Sequence, residues 1–332
     1  MLQKEQSVIQ KVNKISNGFI PVMLNSIQEN SSLGCNMFLK RNMKYDTGYV
    51  LYVDRKSIIK SSNLEQLKKR GIDTLFIHKN DHINYLKHIE SNMAKFINDE
   101  RISVNDKVHT IYNIAKVIAM DMFDSPYIVN EVKRSKNWVI DTVEFILKKR
   151  EASAVMLNMI SHTYCTFTHS VDVAVLGMLF SKHLGFRKEE INDLVVGLLL
   201  HDIGKTKINK EIINKTGMLT DTEYLTMREH VKEGVKILEE AGGLTPESLY
   251  PVVLHHERED GMGYPKGLKG SDIHRYGKIA SIIDVYNALT TYRPYSSAKS
   301  PFAALQIMSK KMLEGFDKNY FRQYVLFLGK IR

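Results

Sequence analysis

The stretch LLLHDIGK, residues 198–205, runs a string of leucines into a histidine, an aspartate and a lysine. A plain helix end would give the same letters, with Asp202 solvated and Gly204 as the stop signal. The residues upstream weigh against that alternative. Ile191, Leu194, Val195 and Leu198 recur at three- and four-residue intervals and make one apolar stripe of a helix. The next positions on that stripe are His201 and Asp202, so both point where the leucines point. A charged carboxylate facing a core is expensive unless it is paired or bound to a cation.

The pattern recurs along the chain. In HSVDVAVLGMLF, His169 shares a face with Val173, Leu176 and Phe180. In TDTEYLTMREHVKEGVKIL, Thr220 and Glu223 form a capping box, and Met227, His230, Val231, Gly234 and Leu238 follow on one side. His255 and His256 close an apolar run after Val252 and Val253. Asp284 follows Ala280 and Ile283, with Asn287 one turn further on. Imidazole and carboxylate together suit iron, manganese or zinc rather than calcium. Seven such side chains (His169, His201, Asp202, His230, His255, His256 and Asp284) exceed the needs of one ion with an open position. Two divalent transition-metal ions bridged by Asp202 would use them all.

Two such ions form a clamp for in-line displacement at phosphorus and lower the pKa of a water to near neutrality, so that hydroxide is the nucleophile. Lys205, one turn from His201, is either a phosphate or leaving-group contact or an exposed lysine at a helix C-terminus. The loop EREDGMGYPKGLKG carries Gly261, Gly263, Gly267 and Gly270, which allow close backbone approach to a ligand. Tyr264, ahead of Pro265, sits at a stiffened extended position from which its ring could stack on a base, or it is a packed surface tyrosine.

The bulk numbers set the background. A chain of 332 residues, 43% hydrophobic and 25% charged, has the composition of an ordinary globular protein. Two cysteines, Cys35 and Cys165, without paired spacing argue against a disulfide framework and fit a reducing, cytoplasmic setting. No apolar run approaches the roughly 20 residues of a membrane span, and the opening MLQKEQSVIQKV lacks a signal-peptide core. The net charge of +10 suits an anionic partner, but the lysines are scattered, which reads as a solvated basic surface and not a DNA-binding one.

Organisation changes along the chain. FIPVML, YVLYVD and TLFIH read as strands, and SNLEQLKKRG as a helix with a Ser62–Glu65 capping box and Gly71 as its stop. HINYLKHIESNMAKFI reads as a helix leading out. From about residue 104 helical periodicity takes over, with long helices near 104–122 and 126–149 joined at FDSP. The expected fold is α+β overall: a small mixed α/β N-terminal domain over 1–100, connecting helices over 101–149 that would suit either a homodimer or plain packing against the second domain, and an all-α domain over 150–332. The first domain reads as regulatory: a small-molecule sensor, an adaptor surface for a signalling protein partner, or equally a dimerisation device.

HDIGK, HHEREDGMGYP and DVYNALTTYRPY, with THS upstream and REH between, resemble the bacterial HD-GYP phosphodiesterases in order, spacing and residue type. The resemblance covers about residues 150 to 332. It implies an all-helical HD-type catalytic domain that hydrolyses cyclic di-GMP to the linear dinucleotide pGpG, in some members on to GMP. It implies iron first and manganese second as the metals, held by the seven residues named above. It further implies Lys205 and Asp202 in catalysis, Gly263, Tyr264 and Pro265 at the substrate, and Arg293 on its phosphate. Three departures stand out. Cys165 replaces a glutamate that helps some members hold a third metal, so two metals and mainly pGpG are expected. Asn287 replaces a second aspartate. Ser296 replaces a basic residue, a role open to Lys299. The alternatives are a poorly active cyclic-dinucleotide receptor or scaffold, and a phosphodiesterase for cyclic GMP–AMP.

Overall fold

Fourteen consecutive residues, Thr168 to Ser181, are buried without a break. A helix buried on every side belongs at the centre of its domain, and this one does. A computed structural model of the chain describes residues 18–42, 47–125, 128–160, 166–292 and 297–331. By compactness the chain divides into Met1–Thr110 and Ile111–Arg332.

The first unit holds a four-stranded antiparallel sheet in the order β1-β6-β3-β4. Its strands are β1 (Phe19–Met23), β3 (Met37–Asn42), β4 (Thr47–Val53) and β6 (Thr74–His78). A second, two-stranded pair joins β2 (Ser31–Ser32) to β5 (Ile58–Ile59). The pleat sorts residues by face. Val22, Met37, Leu75 and Ile77 are buried, while Phe19, Phe38, Tyr49, Phe76 and His78 form a half-exposed ring cluster on the other side. Three short helices complete the unit: α1 (Ser61–Lys69), α2 (His82–Glu90) and α3 (Met93–Asn98).

Two local readings change here. The start of α1 is set by Asn63, whose Oδ1 accepts the Lys60 N–H at 3.2 Å, and not by the Ser62–Glu65 pair. The expected single helix over 82–97 breaks at Ser91 and Asn92. Their side chains donate to the carbonyls of Lys87 and His88, both at 3.0 Å, and compete with the helix for its acceptors.

The second unit is helical. Helix α4 (Val104–Asp124) begins in the first unit and runs on into the second, followed by α5 (Val129–Lys148) and α6 (Ala152–Asn158). The central helix is α7 (Thr166–His183), packed against α8 (Lys188–Leu200) and α12 (Arg275–Thr290). Between them come α9 (Lys210–Ile213), α10 (Asp221–Ala241) and α11 (Pro246–Leu254), and after them α13 (Pro301–Lys311) and α14 (Lys318–Ile331). The capping box read at Thr220 and Glu223 opens α10: each backbone N–H donates to the other's side chain.

The chain leaves α8 in a tight 3-10 turn, Ile203–Lys207, pressed onto α10. Gly204 makes that approach feasible: a Cβ there would lie 1.8 Å from the His230 carbonyl oxygen. Among the described residues no helix is long and apolar enough to cross a membrane.

Candidate metal centre

Five helix ends and faces bring the seven candidate ligands into one region. His169 comes from α7, His201 and Asp202 from the end of α8, His230 from α10, His255 and His256 from the end of α11, and Asp284 from α12. Six of them fall into two groups of ligand atoms, each within 4.8 Å: His169, His201 and Asp202 in one, and His230, His255 and His256 in the other, while Asp284 approaches the first through His169. Asp202 faces both. Its Oδ2 is 3.7 Å from His169 Nε2 and 3.4 Å from His201 Nε2, while its Oδ1 is 3.6 Å from His230 Nε2.

The protons on the rings are set by their outer nitrogens. His201 Nδ1 donates to the Leu198 carbonyl at 2.7 Å, His230 Nδ1 to that of Met227 at 2.6 Å, and His255 Nδ1 to that of Pro251 at 2.9 Å. A carbonyl oxygen only accepts, so each Nδ1 carries the proton and each neutral ring keeps its lone pair on Nε2. His169 Nδ1 likewise meets Asn287 Oδ1 at 2.7 Å. The four Nε2 lone pairs therefore converge, and they meet other acceptors. His230 and His255 Nε2 stand 3.2 Å apart, and His169 Nε2 is 2.9 Å from Asp284 Oδ1. Among the described residues, His201 Nε2 is buried with no hydrogen-bond partner. Acceptor facing acceptor at these distances calls for a shared proton or a cation. A donor set of imidazoles and carboxylates fits transition metals.

The electrostatics of the side chains agree. Burial pushes the pKa of His230 and of His255 down to about 4, and that of His256 well below the usual imidazole range. The rings are neutral and able to ligate at neutral pH. Burial alone would raise Asp202 and Asp284. Lys205 and the neighbouring imidazoles outweigh it at Asp202, and the His169 contact outweighs it at Asp284, so both are held well below the carboxylate range. Lys205 Nζ lies 2.5 Å from Asp202 Oδ2.

Beside the cluster lies a cavity of about 190 Å³, bounded by His255, His256, Tyr264, Tyr224, Ser281 and Val285 among others. The Tyr264 ring stacks on His256, with centroids 4.6 Å apart and planes at 27°. The Tyr264–Pro265 peptide is cis. Gly263 lets this loop fold back on the histidine pair, since a Cβ there would lie 2.6 Å from the His256 carbonyl oxygen. Arg293, Cys165 and Ser296 lie outside the described residues. Lys299 follows them, its backbone N–H on the Leu289 carbonyl at 2.9 Å.

Three residues were not singled out for their parts here. Glu257 is 2% exposed, and its two oxygens accept the N–H groups of Lys266 and Leu268 at 2.7 and 2.9 Å, which pins the loop after Pro265. Its only signal in the sequence is an acid directly after the buried histidine pair. Asn287 orients His169, a partnership visible only once α7 and α12 are packed. Arg228, on α10, carries no sequence signal beyond its place two residues before His230.

The chain belongs to the HD-domain family, in its HD-GYP branch: the family described as HD domain matches residues 146–320. Among its relatives is a cyclic di-GMP phosphodiesterase of Pseudomonas aeruginosa, 30% identical over 184 residues, covering 55% of this chain and 44% of that protein. A 3'3'-cGAMP-specific phosphodiesterase of Vibrio cholerae is 38% identical over 143 residues, covering 43% and 33%. A cyclic di-GMP phosphodiesterase of Thermotoga maritima is 32% identical over 163 residues, covering 47% and 44%. The aligned region thus spans less than half the length of these relatives. Among solved structures, an HDG"Y"P protein of Bdellovibrio bacteriovorus, Bd1817, shares the fold, with a TM-score of 0.64 and 18% identity over 94% of this chain and 99% of that one.

Proposed function

We propose that this protein is a metal-dependent phosphodiesterase that hydrolyses cyclic di-GMP to linear pGpG. The observation that carries the reading is the convergence of four Nε2 lone pairs on two carboxylates, with Asp202 facing both halves of the cluster. His169, His201, Asp202, His230, His255, His256 and Asp284 would hold two divalent ions, iron first and manganese second. Bound there, the ions would supply Lewis acidity to a phosphate and lower the pKa of a water beside it. The names of the relatives from Pseudomonas aeruginosa and Thermotoga maritima support the substrate class.

In the reaction a water oxygen bonds to phosphorus and the bond to the 3' oxygen breaks, leaving a 5'-phosphate and a 3'-hydroxyl. The protein's own part is orientation and charge. Lys205 places a cation at the Asp202 carboxylate, within reach of a phosphate oxygen or of the leaving 3' oxygen, which needs a proton. Tyr264, held on His256, offers a face and a hydroxyl at the edge of the cavity. Gly263 and Pro265 shape that edge, and Arg293 would complete the phosphate contacts. The first unit would regulate the second.

A second reading has its own support: the Vibrio cholerae relative at 38% identity is named for 3'3'-cGAMP. The test is product chromatography on anaerobically purified protein loaded with iron or manganese, with each cyclic dinucleotide supplied. Appearance of pGpG supports the proposal. Preferential loss of cyclic GMP–AMP moves the substrate. Micromolar binding with no turnover under any metal makes the chain a receptor, and neither binding nor turnover refutes both readings.

A further inference from the structure

Arg228 joins a group of stacked side chains that includes the candidate ligand His256. The His256 imidazole carries the Tyr264 ring, and the Arg228 guanidinium carbon lies 4.6 Å from that ring's centroid on α10. Tyr224 closes the group, its ring edge-to-face with Tyr264 at 6.4 Å and 6.0 Å from the same guanidinium carbon.

An arginine at a protein surface ordinarily spends its charge on a carboxylate. Arg258 does so with Asp260, Arg275 with Glu190, and Arg134 with Asp121. Among the described residues Arg228 has neither an ion-pair partner nor a hydrogen bond. Contact with aromatic rings engages the face of a guanidinium, while its five N–H bonds lie in its plane and remain available to an oxyanion. Tyr224 and Tyr264 thus hold in place a cation whose donors are unspent.

The surroundings of that cation bear on which oxyanion it can meet. A phosphate at the cluster would already have Lys205, which stands beside Asp202. Arg228 instead lies against Tyr264 and Tyr224, and among the described residues it pairs with none of the seven candidate ligands. A cyclic dinucleotide carries a second phosphodiester across its macrocycle, and a simple diester does not. We propose that Arg228 determines specificity for the cyclic dinucleotide by gripping its second, uncleaved phosphate. The inference rests on the phosphodiesterase reading above and adds a subsite to it.

The test uses the full chain loaded with manganese, as wild type, Arg228→Lys and Arg228→Met. Initial rates are measured with cyclic di-GMP and with bis(4-nitrophenyl) phosphate, a diester with one phosphate. A charge-assisted fork corresponds to roughly tenfold to hundredfold in affinity. Arg228→Met should therefore raise KM for cyclic di-GMP by about that factor, with kcat falling less. The ratio of kcat/KM between the two substrates should drop at least about tenfold. Arg228→Lys keeps a cation over Tyr264 but not the fork, so it should recover only part of the loss. An unchanged KM in Arg228→Met overturns the proposal. So does an equal fall on both substrates, or full rescue by lysine, since either would mean that Arg228 merely supports Tyr264. If wild type binds cyclic di-GMP without turnover, the phosphodiesterase reading fails and the same factor must appear in Kd. Absence of both binding and turnover refutes the two together.

Discussion

Replacing Asn287 with leucine removes the acceptor 2.7 Å from His169 Nδ1. Asn287 is 0% exposed and His169 1%, so water cannot readily stand in. An unsatisfied buried N–H costs about 1–3 kcal/mol, which the ring can relieve by moving its proton to Nε2. That tautomer no longer has a lone pair aimed at Asp284 and Asp202. Loss of a partner to a metal-binding histidine weakens metal affinity by about 10–100-fold, or about 1.4–2.8 kcal/mol, the same size as the unmade hydrogen bond. Asn287→Asp keeps an acceptor and adds negative charge behind the ring, so it should bind metal at least as tightly as wild type. The assay is titration of metal-free protein with manganese or zinc against a chromophoric chelator, alongside circular dichroism to establish folding. A folded Asn287→Leu variant with wild-type affinity would refute the reasoning, and Asn287→Ala gives the same test should leucine prevent folding.

Further outcomes follow from other parts of the structure. Gly204→Ala places a Cβ 1.8 Å from the His230 carbonyl and 2.5 Å from the Gly234 nitrogen, so turn and helix must separate; a loss of about 1–3 kcal/mol in urea unfolding is expected, and an unshifted midpoint would count against the close approach. His230 and His255 take up protons near 6.5 in the unfolded chain but only about 4 when folded. The unfolded state binds more protons between those values, so their contribution makes the metal-free protein lose stability as pH falls from 6.5 toward 4; a flat profile there would contradict the burial of both rings. Cys35 is 1% exposed and burial pushes its thiol up to about 12, so peptide mapping should find it unlabelled by iodoacetamide at pH 8 in native protein and labelled in urea.

Helix periodicity carried the arrangement of the site further than it carried the first unit. The stripe Ile191, Leu194, Val195 and Leu198 is buried, and His201 and Asp202 lie at its end as the spacing implied. His230 likewise shares its face with the buried Val231 and Leu238, although Met227 is half-buried, and Asp284 follows the buried Ile283. Apolar neighbours at three- and four-residue spacing fix a direction, and burial makes that direction inward. What they cannot fix is which stripe meets which, so the Asn287–His169 contact between α7 and α12 stayed hidden. In the first unit β3 escaped notice because only Met37 and Phe38 pair with β6, while Lys40 to Asn42 run out along β4 alone and need no apolar face. The break at Ser91 and Asn92 follows from side chains taking main-chain acceptors, which an apolar count does not register.

The tethers of the four rings differ in kind. His201, His230 and His255 are held by main-chain carbonyls, which are present whatever residue supplies them. His169 is held by an amide that a single codon change can turn into a carboxylate, a hydroxyl or a hydrocarbon. Heritable variation therefore has a foothold on one edge of the cluster and scarcely any on the others: descendants of this gene can retune the donor strength of His169 while the other three rings keep the character they have now.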